Sequence, residues 1–239
     1  MLTKIDSKGN YLEYPGITII APIENNLRTD NLGLQTIYHA IKESPLLSRY
    51  YAPLPYKSYH VTTCNLYTKE EQVTDWDNFI TTRLDFFQML SARLMENQFI
   101  PQVSIEEVQT CGALQLLLEL PENQRNIIES IAKEFNIEEG IPQFFHMTLA
   151  YEYKGIWDRK IYLDIKDEFA KIIANFSAQK IILKAPTLAS FESMKKFTPW
   201  DGKVNPFNTF SSSKKTLGFF DEKITPKYEW SPSSLCTLL

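Results

Sequence analysis

Histidine is scarce in this sequence: 239 residues hold only three, His39, His60 and His146. Any chemistry that needs imidazole has few places to be. Cysteine is as scarce. Cys64, Cys111 and Cys236 show no metal-ligand spacing, and an odd count in a chain of this size does not read as a disulfide framework. A reducing compartment is the expectation. There is no basic surplus either. The formal net charge is -4, whereas a protein that grips long nucleic acid carries excess Lys and Arg to displace counterions from many phosphates. Long duplex nucleic acid is therefore not an expected partner, although a local basic patch can still hold one or two phosphates. Long apolar runs are missing too. The opening MLTKIDSKGNYLEYPG is polar where a signal peptide needs an apolar segment, and no run is long enough to cross a bilayer. A cytoplasmic location follows as an expectation.

What the chain does have is 44% apolar residues, ample for one large core or two fused lobes. Gly16-Ile17-Thr18-Ile19-Ile20-Ala21-Pro22 is a β-branched run bounded by Gly and Pro, which predicts a buried strand. Asp30 can cap a helix along which Leu34, Ile37, Tyr38 and Ile41 recur. The prolines of Tyr51–Tyr56 forbid regular helix there, and Tyr59–Leu66 reads as a second strand. A long amphipathic helix is predicted from about Thr74 to Asn97, with Phe79, Phe86, Leu90 and Leu94 on one face. Strands over 102–110 and 113–120 meet at a Cys111-Gly112 turn, and Pro121 opens a helix where its missing N–H costs nothing. A strand over Phe144–Tyr151, a helix at about Asp164–Asn175 and strands at about 179–184 and 187–192 complete the order.

Two of the three histidines stand in the same context: Tyr59-His60-Val61-Thr62 and Phe145-His146-Met147-Thr148, each on a predicted strand. Residues i and i+2 of a strand share a face. His60 thus projects with Thr62 and His146 with Thr148, while Val61 and Met147 point to the opposite side. Facing one another across a cleft, such pairs suit attack on a phosphodiester. One imidazole takes the proton of the attacking oxygen and the other supplies one to the leaving oxygen, both within reach of histidine's ordinary pKa. Each Thr hydroxyl can donate to a non-bridging phosphate oxygen. No cofactor is needed, and no Asp/His cluster has metal spacing.

The paired His-x-Thr motifs resemble those of the 2H phosphoesterase superfamily. The segments GITIIAPI, YYAPLPYKSYHVTTCNLYT, FFHMTLAYEY and LASFESMKKFTPWDG are similar to its DUF1868-like branch, over about residues 10 to 203. That resemblance implies an α+β, bilobal fold: two pseudo-symmetric lobes, each an antiparallel sheet backed by helices, around a central cleft. Residues 1–203 would form this single domain and residues 204–239 an extended C-terminal tail. It also implies that His60 and His146 are catalytic and that Thr62 and Thr148 bind the substrate phosphate. The expected activity is a metal-independent phosphodiesterase acting on a 2′,3′-cyclic or 2′-linked phosphodiester of a nucleotide or short RNA. The same residues also fit a non-catalytic module that retains a nucleotide or an RNA end.

Other residues carry weaker signals. Ser58 and Cys64 share the His60 face by the period-two rule. Ser58 can donate to phosphate or simply satisfy backbone, and Cys64 reads as a small hydrophobe. Ser58, Tyr67 and Tyr151 are candidate cleft wall, as are Tyr56 and Phe144, whose rings can stack on a base. Lys57, Lys154, Lys195 and Lys196 can neutralise phosphate, though loop lysines are usually just solvated. His39 lies among Leu34, Ile37 and Ile41 without a paired Thr and reads as structural or surface. The last four residues, Cys236-Thr237-Leu238-Leu239, have the form of a geranylgeranylation signal, which would add membrane attachment through a C-terminal lipid. The chain is read as a monomer acting on a small nucleotide or RNA-end substrate.

Overall fold

A computed structural model of the chain describes residues 3–23, 32–72, 75–176 and 180–208. In chain order the elements are β1 (Gly16–Pro22), α1 (Leu32–Glu43), β2 (Tyr51–Pro53), β3 (His60–Thr68), α2 (Trp76–Thr81), α3 (Leu84–Glu96), β4 (Gln102–Gln109), β5 (Ala113–Glu119), α4 (Glu122–Glu134), β6 (Phe145–Glu152), α5 (Arg159–Ala174), β7 (Ile181–Ile182), β8 (Thr187–Ser193) and β9 (Lys196–Pro199). They form two antiparallel sheets, ordered β3-β1-β8-β9 and β2-β6-β5-β4-β7.

The β-branched run Gly16–Pro22 is buried along nearly its whole length because β1 has a strand on each edge. Behind it, Trp76, Ile80, Phe87, Leu90 and Leu94 of α2 and α3 cluster with Ile17, Ile19 and Leu188. The second sheet is backed by α1 and α5: Ile37, Ile41, Ile165 and Phe169 join Leu116, Met147 and Leu149 in the larger core. Each such side chain withdrawn from water contributes about 1.5–3 kcal/mol. The fold is therefore α+β and bilobal, as the motif pair implies. The lobes are not the two halves of the chain, however. α1 and β2 precede the first motif yet belong with the second sheet, and β8 and β9 follow the second motif yet belong with the first. These exchanged segments tie the lobes together.

Three boundaries differ from the sequence expectation. The single helix predicted over about 74–97 is two helices. Asp75 caps α2 by accepting from the Asn78 N–H, and the chain then breaks at Thr82-Arg83. The Thr81 and Thr82 hydroxyls and the Arg83 guanidinium all donate to carbonyls of α2. These side-chain bonds compete with the next backbone turn, and β-branched Thr is a weak helix former besides. Helix α5 starts earlier than expected, because the Asp158 carboxylate accepts from the Lys160 and Ile161 N–H groups. β2 and β9 are short edge strands that no hydrophobic alternation announces. Asp30 and Thr74 lie outside the described residues. The chain after β9 stays packed as far as it is described: Asn205 is buried and donates to the Asp77 carbonyl, and Phe207 lies 5.3 Å from Trp76, centroid to centroid.

Candidate active site

Strands β3 and β6, one from each sheet, run against each other and carry the two motifs. Val61 and Met147 are 2% and 0% exposed and face the core, which turns the residues on either side of each toward the cleft. On β3, Pro22 pairs with His60 and Ile20 with Thr62, but Ile19 pairs with Cys64, so Thr63 is an extra residue. On β6, Gln115 pairs with Thr148 and Leu114 with Ala150, so Leu149 is extra. A bulge thus follows the Thr of each motif. It ends the strict alternation just beyond the two residues that face the cleft.

The first bulge corrects the reading of Cys64. Strict alternation puts it on the His60 face. The inserted Thr63 turns it instead into the core behind the sheet, where it is 1% exposed, free, and held well above the ordinary thiol range by burial. Thr18 and Thr63 hydroxyls satisfy the carbonyls that the bulge leaves, donating to Cys64 and Ile19 at 3.0 and 3.3 Å. Cleft-facing duty passes to Asn65.

His60, Thr62, His146 and Thr148 all line one cavity of about 280 Å³, together with Tyr67 and Tyr151. The two imidazoles are held alike. Nδ1 of His60 lies 2.7 Å from the Ser58 carbonyl, and Nδ1 of His146 lies 3.2 Å from the Phe144 carbonyl. A carbonyl only accepts, so in both rings Nδ1 carries the proton and the neutral ring offers a bare Nε2. Burial is the main influence on both. It pushes His60 down to about 4, against a smaller upward effect of the Ser58 carbonyl, with the His146 charge adding to the depression. It also lowers His146, opposed by the Phe144 carbonyl, and the Lys4 ammonium lowers it further. Both rings are therefore neutral in the free protein at pH 7.

The remaining expected residues divide. Ser58 is not part of the cavity wall. Its hydroxyl donates to the Pro55 carbonyl at 2.7 Å, and its contribution is the carbonyl that orients His60. Tyr67 packs edge-on against Phe79, and Tyr151 donates to Met194 Sδ at 3.4 Å. Tyr56, Phe144, Lys57, Lys154, Lys195 and Lys196 do not line the cavity. His39 is surface, 3.7 Å from Glu43. Cys236 lies outside the described residues.

Three residues that the motif reasoning missed stand beside the four. Phe197 of β9 covers His60, ring centroids 4.0 Å apart, and is one source of its burial. Gln115 Nε2 donates to Thr148 Oγ1 at 3.0 Å, which leaves the Thr148 O–H to point elsewhere. Its signal was present: a lone polar side chain inside Ala113-Leu114-Gln115-Leu116-Leu117-Leu118. Lys4 lines the cavity from the N-terminal arm and had no signal at all. Among the described residues no group of three or more His, Cys, Asp or Glu side chains could hold a metal ion, and no helix is long and apolar enough to cross a membrane.

Residues 4–108 match the family model described as 2H-phosphodiest, Domain of unknown function (DUF1868). That span includes His60 and Thr62 and stops short of His146 and Thr148. Uncharacterized protein 127L of Invertebrate iridescent virus 6 is 22% identical over 224 residues, 83% of this chain and 94% of that protein. A conserved protein of unknown function from Agrobacterium tumefaciens str. C58 superposes with a TM-score of 0.61 at 16% identity, over 84% of this chain and 90% of its own. The bilobal fold is shared with it. E. coli LigT in apo form gives a TM-score of 0.45 at 11% identity, over 79% of this chain and 96% of its own.

Proposed function

We propose that this chain, whose residues 4–108 match the 2H-phosphodiest (DUF1868) family model, is a metal-independent phosphodiesterase of the 2H type. Its substrate is a 2′,3′-cyclic or 2′-linked phosphodiester of a nucleotide or short RNA. The observation that carries this reading is the matched pair of imidazoles: both donate Nδ1–H to the carbonyl two residues earlier, and both face one cavity that also holds Thr62 and Thr148. One bare Nε2 takes the proton from the attacking water or hydroxyl. The other ring, once protonated, gives its proton to the departing oxygen. The bond from the attacking oxygen to phosphorus forms as the bond to the leaving oxygen breaks, and net proton count is unchanged.

Both rings are neutral in the free protein, so an acid must be made. A phosphodiester anion in the cavity favours a nearby imidazolium and opposes the depression caused by burial. Substrate binding thereby charges the acid where it is used. The Thr62 and Thr148 hydroxyls donate to non-bridging oxygens, where charge concentrates in the transition state. Phe197 and Phe191, 4.9 Å apart, form an aromatic wall beside His60 that suits the flat face of a base. The test is turnover of 2′,3′-cyclic nucleotides, 2′,5′-oligoadenylates and RNA ends by the full chain, each with a His60→Ala/His146→Ala control. Tight binding without turnover at high protein concentration would replace the enzyme with a binding module.

A further inference from the structure

The arm before β1 is a built element. Asp6 accepts from the Lys8 and Asn10 N–H groups, both at 2.8 Å, and Gly9 closes the turn with φ 83°. Ile5 then bridges Tyr11, and Leu12 N–H donates to the Lys4 carbonyl at 3.1 Å. This small hairpin is fastened to both sheets. Tyr11 donates its hydroxyl to the Ala52 carbonyl on β2 at 2.7 Å, and Tyr14 N–H donates to the Glu192 carbonyl on β8 at 2.7 Å. Tyr14 also donates its hydroxyl to Glu70 at 2.9 Å. An arm bonded to a strand of each sheet holds its side chains in register with the cleft between them.

The side chain it delivers is Lys4. The half-buried ammonium sits 5.5 Å from the Tyr14 ring centroid and 5.3 Å from that of Tyr151, and it lines the cavity with both histidines and both threonines. No carboxylate pairs with it among the described residues. Aromatic faces hold a cation without cancelling its charge. Among the described residues the one carboxylate in the cavity wall, Glu71, accepts from the Thr68 N–H at 3.0 Å. Lys4 is thus the one permanent cation lining the cavity among the described residues.

An anion entering a partly dry cavity is costly unless a charge partner waits there. Until one ring takes up a proton, two neutral imidazoles and two hydroxyls supply hydrogen bonds but no charge. We infer that Lys4 is the cation that pairs with a non-bridging oxygen of the substrate phosphoryl group, delivered to the cleft by the N-terminal arm. This rests on the phosphodiesterase reading and adds the group that neutralises the substrate. The flanking tyrosines hold the ammonium in the cleft and keep it from collapsing onto a carboxylate.

The experiment is calorimetric titration of the full chain with inorganic phosphate. Its variants are Lys4→Gln, Lys4→Arg, Thr148→Val and, as a lysine outside the cavity, Lys154→Gln. Loss of one charge-assisted contact predicts binding about tenfold weaker in Lys4→Gln, most of it restored in Lys4→Arg, with Lys154→Gln unchanged. The dependence of binding on salt should also flatten in Lys4→Gln alone. In the absence of phosphate, Lys4→Gln should raise the titration midpoint of His146, a readout that a merely structural arm would leave alone. If Thr148→Val weakens phosphate binding and Lys4→Gln does not, the role of Lys4 is refuted and the phosphodiesterase reading stands. If wild type gives no binding in millimolar phosphate, both are overturned.

Discussion

Phe197→Ala should move the pKa of His60 upward, because the Phe197 ring shields one face of the imidazole. Burial is the largest cause holding His60 at about 4 against an ordinary 6.5. At about 1.4 kcal/mol for each pKa unit, protonating this ring in the folded protein costs about 3 kcal/mol more than in water. Phe197 stands against one face of the imidazole, centroids 4.0 Å apart. Truncating it to alanine admits water to that face and should recover at least about one unit, toward 6.5. NMR titration of the carbon-bound ring protons reads this directly. A linked effect appears in stability. The folded pKa lies below the unfolded one, so between pH 6.5 and about 4 the unfolded chain takes up a proton that the folded chain refuses. Stability contributed by neutral His60 is full above pH 6.5 and falls as pH drops through that window. In Phe197→Ala the slope of unfolding free energy against pH should flatten there, even though loss of the ring lowers stability at every pH. A wild-type His60 that titrates near 6.5, or a variant midpoint that does not move, would refute the argument.

Other outcomes follow from neighbouring contacts. Gln115→Leu removes the donor to Thr148 Oγ1; one hydrogen bond of about 1 kcal/mol predicts a loss of about fivefold in turnover. In a Thr148→Val background the same change should add little, and full additivity of the two would contradict a shared role. Gly140→Ala should destabilise the fold by about 1–3 kcal/mol, because a Cβ there would stand 2.0 Å from the Asn65 carbonyl oxygen. Chemical denaturation checks it, and an unchanged midpoint would mean that the contact between this turn and β3 yields freely. Activity should survive exhaustive EDTA, since proton transfer between each imidazole and a substrate oxygen calls on no metal. Loss of turnover restored only by one divalent ion would count against the mechanism.

The parts of the site legible in the sequence were those written locally. A His and a Thr two apart on a strand share a face wherever that strand is placed, so His60, Thr62, His146 and Thr148 could be paired before any fold was known. Cys64 shows where that logic stops. Its side is decided by whether Thr63 is accommodated as an extra residue against β1, and that depends on a partner strand far away in the chain. The break between α2 and α3 is written in Thr81-Thr82-Arg83, but the amphipathic pattern continues on both sides and masks it. β2 and β9 owe their strand form to pairing with β6 and β8, not to their own composition. Gln115 had a local signal, a polar residue in an apolar strand. Lys4 had none, because an arm acquires its position only from the two sheets to which it is bonded.

In the proposed mechanism both imidazoles act in one displacement. This is tested most directly by turnover of a 2′,3′-cyclic nucleotide, or whichever phosphodiester the screen yields, with His60→Ala, His146→Ala, the double variant and His39→Ala. Each general acid or base is worth about 10²–10⁴-fold, so either single change should cut turnover by at least about a hundredfold. Groups that act as a unit are strongly non-additive, so the double variant should be little worse than the poorer single. His39, exposed and beside Glu43, should be replaceable at little cost. Folded variants of which only one loses activity would contradict the paired mechanism and leave the second His-x-Thr motif a structural feature of β3 or β6.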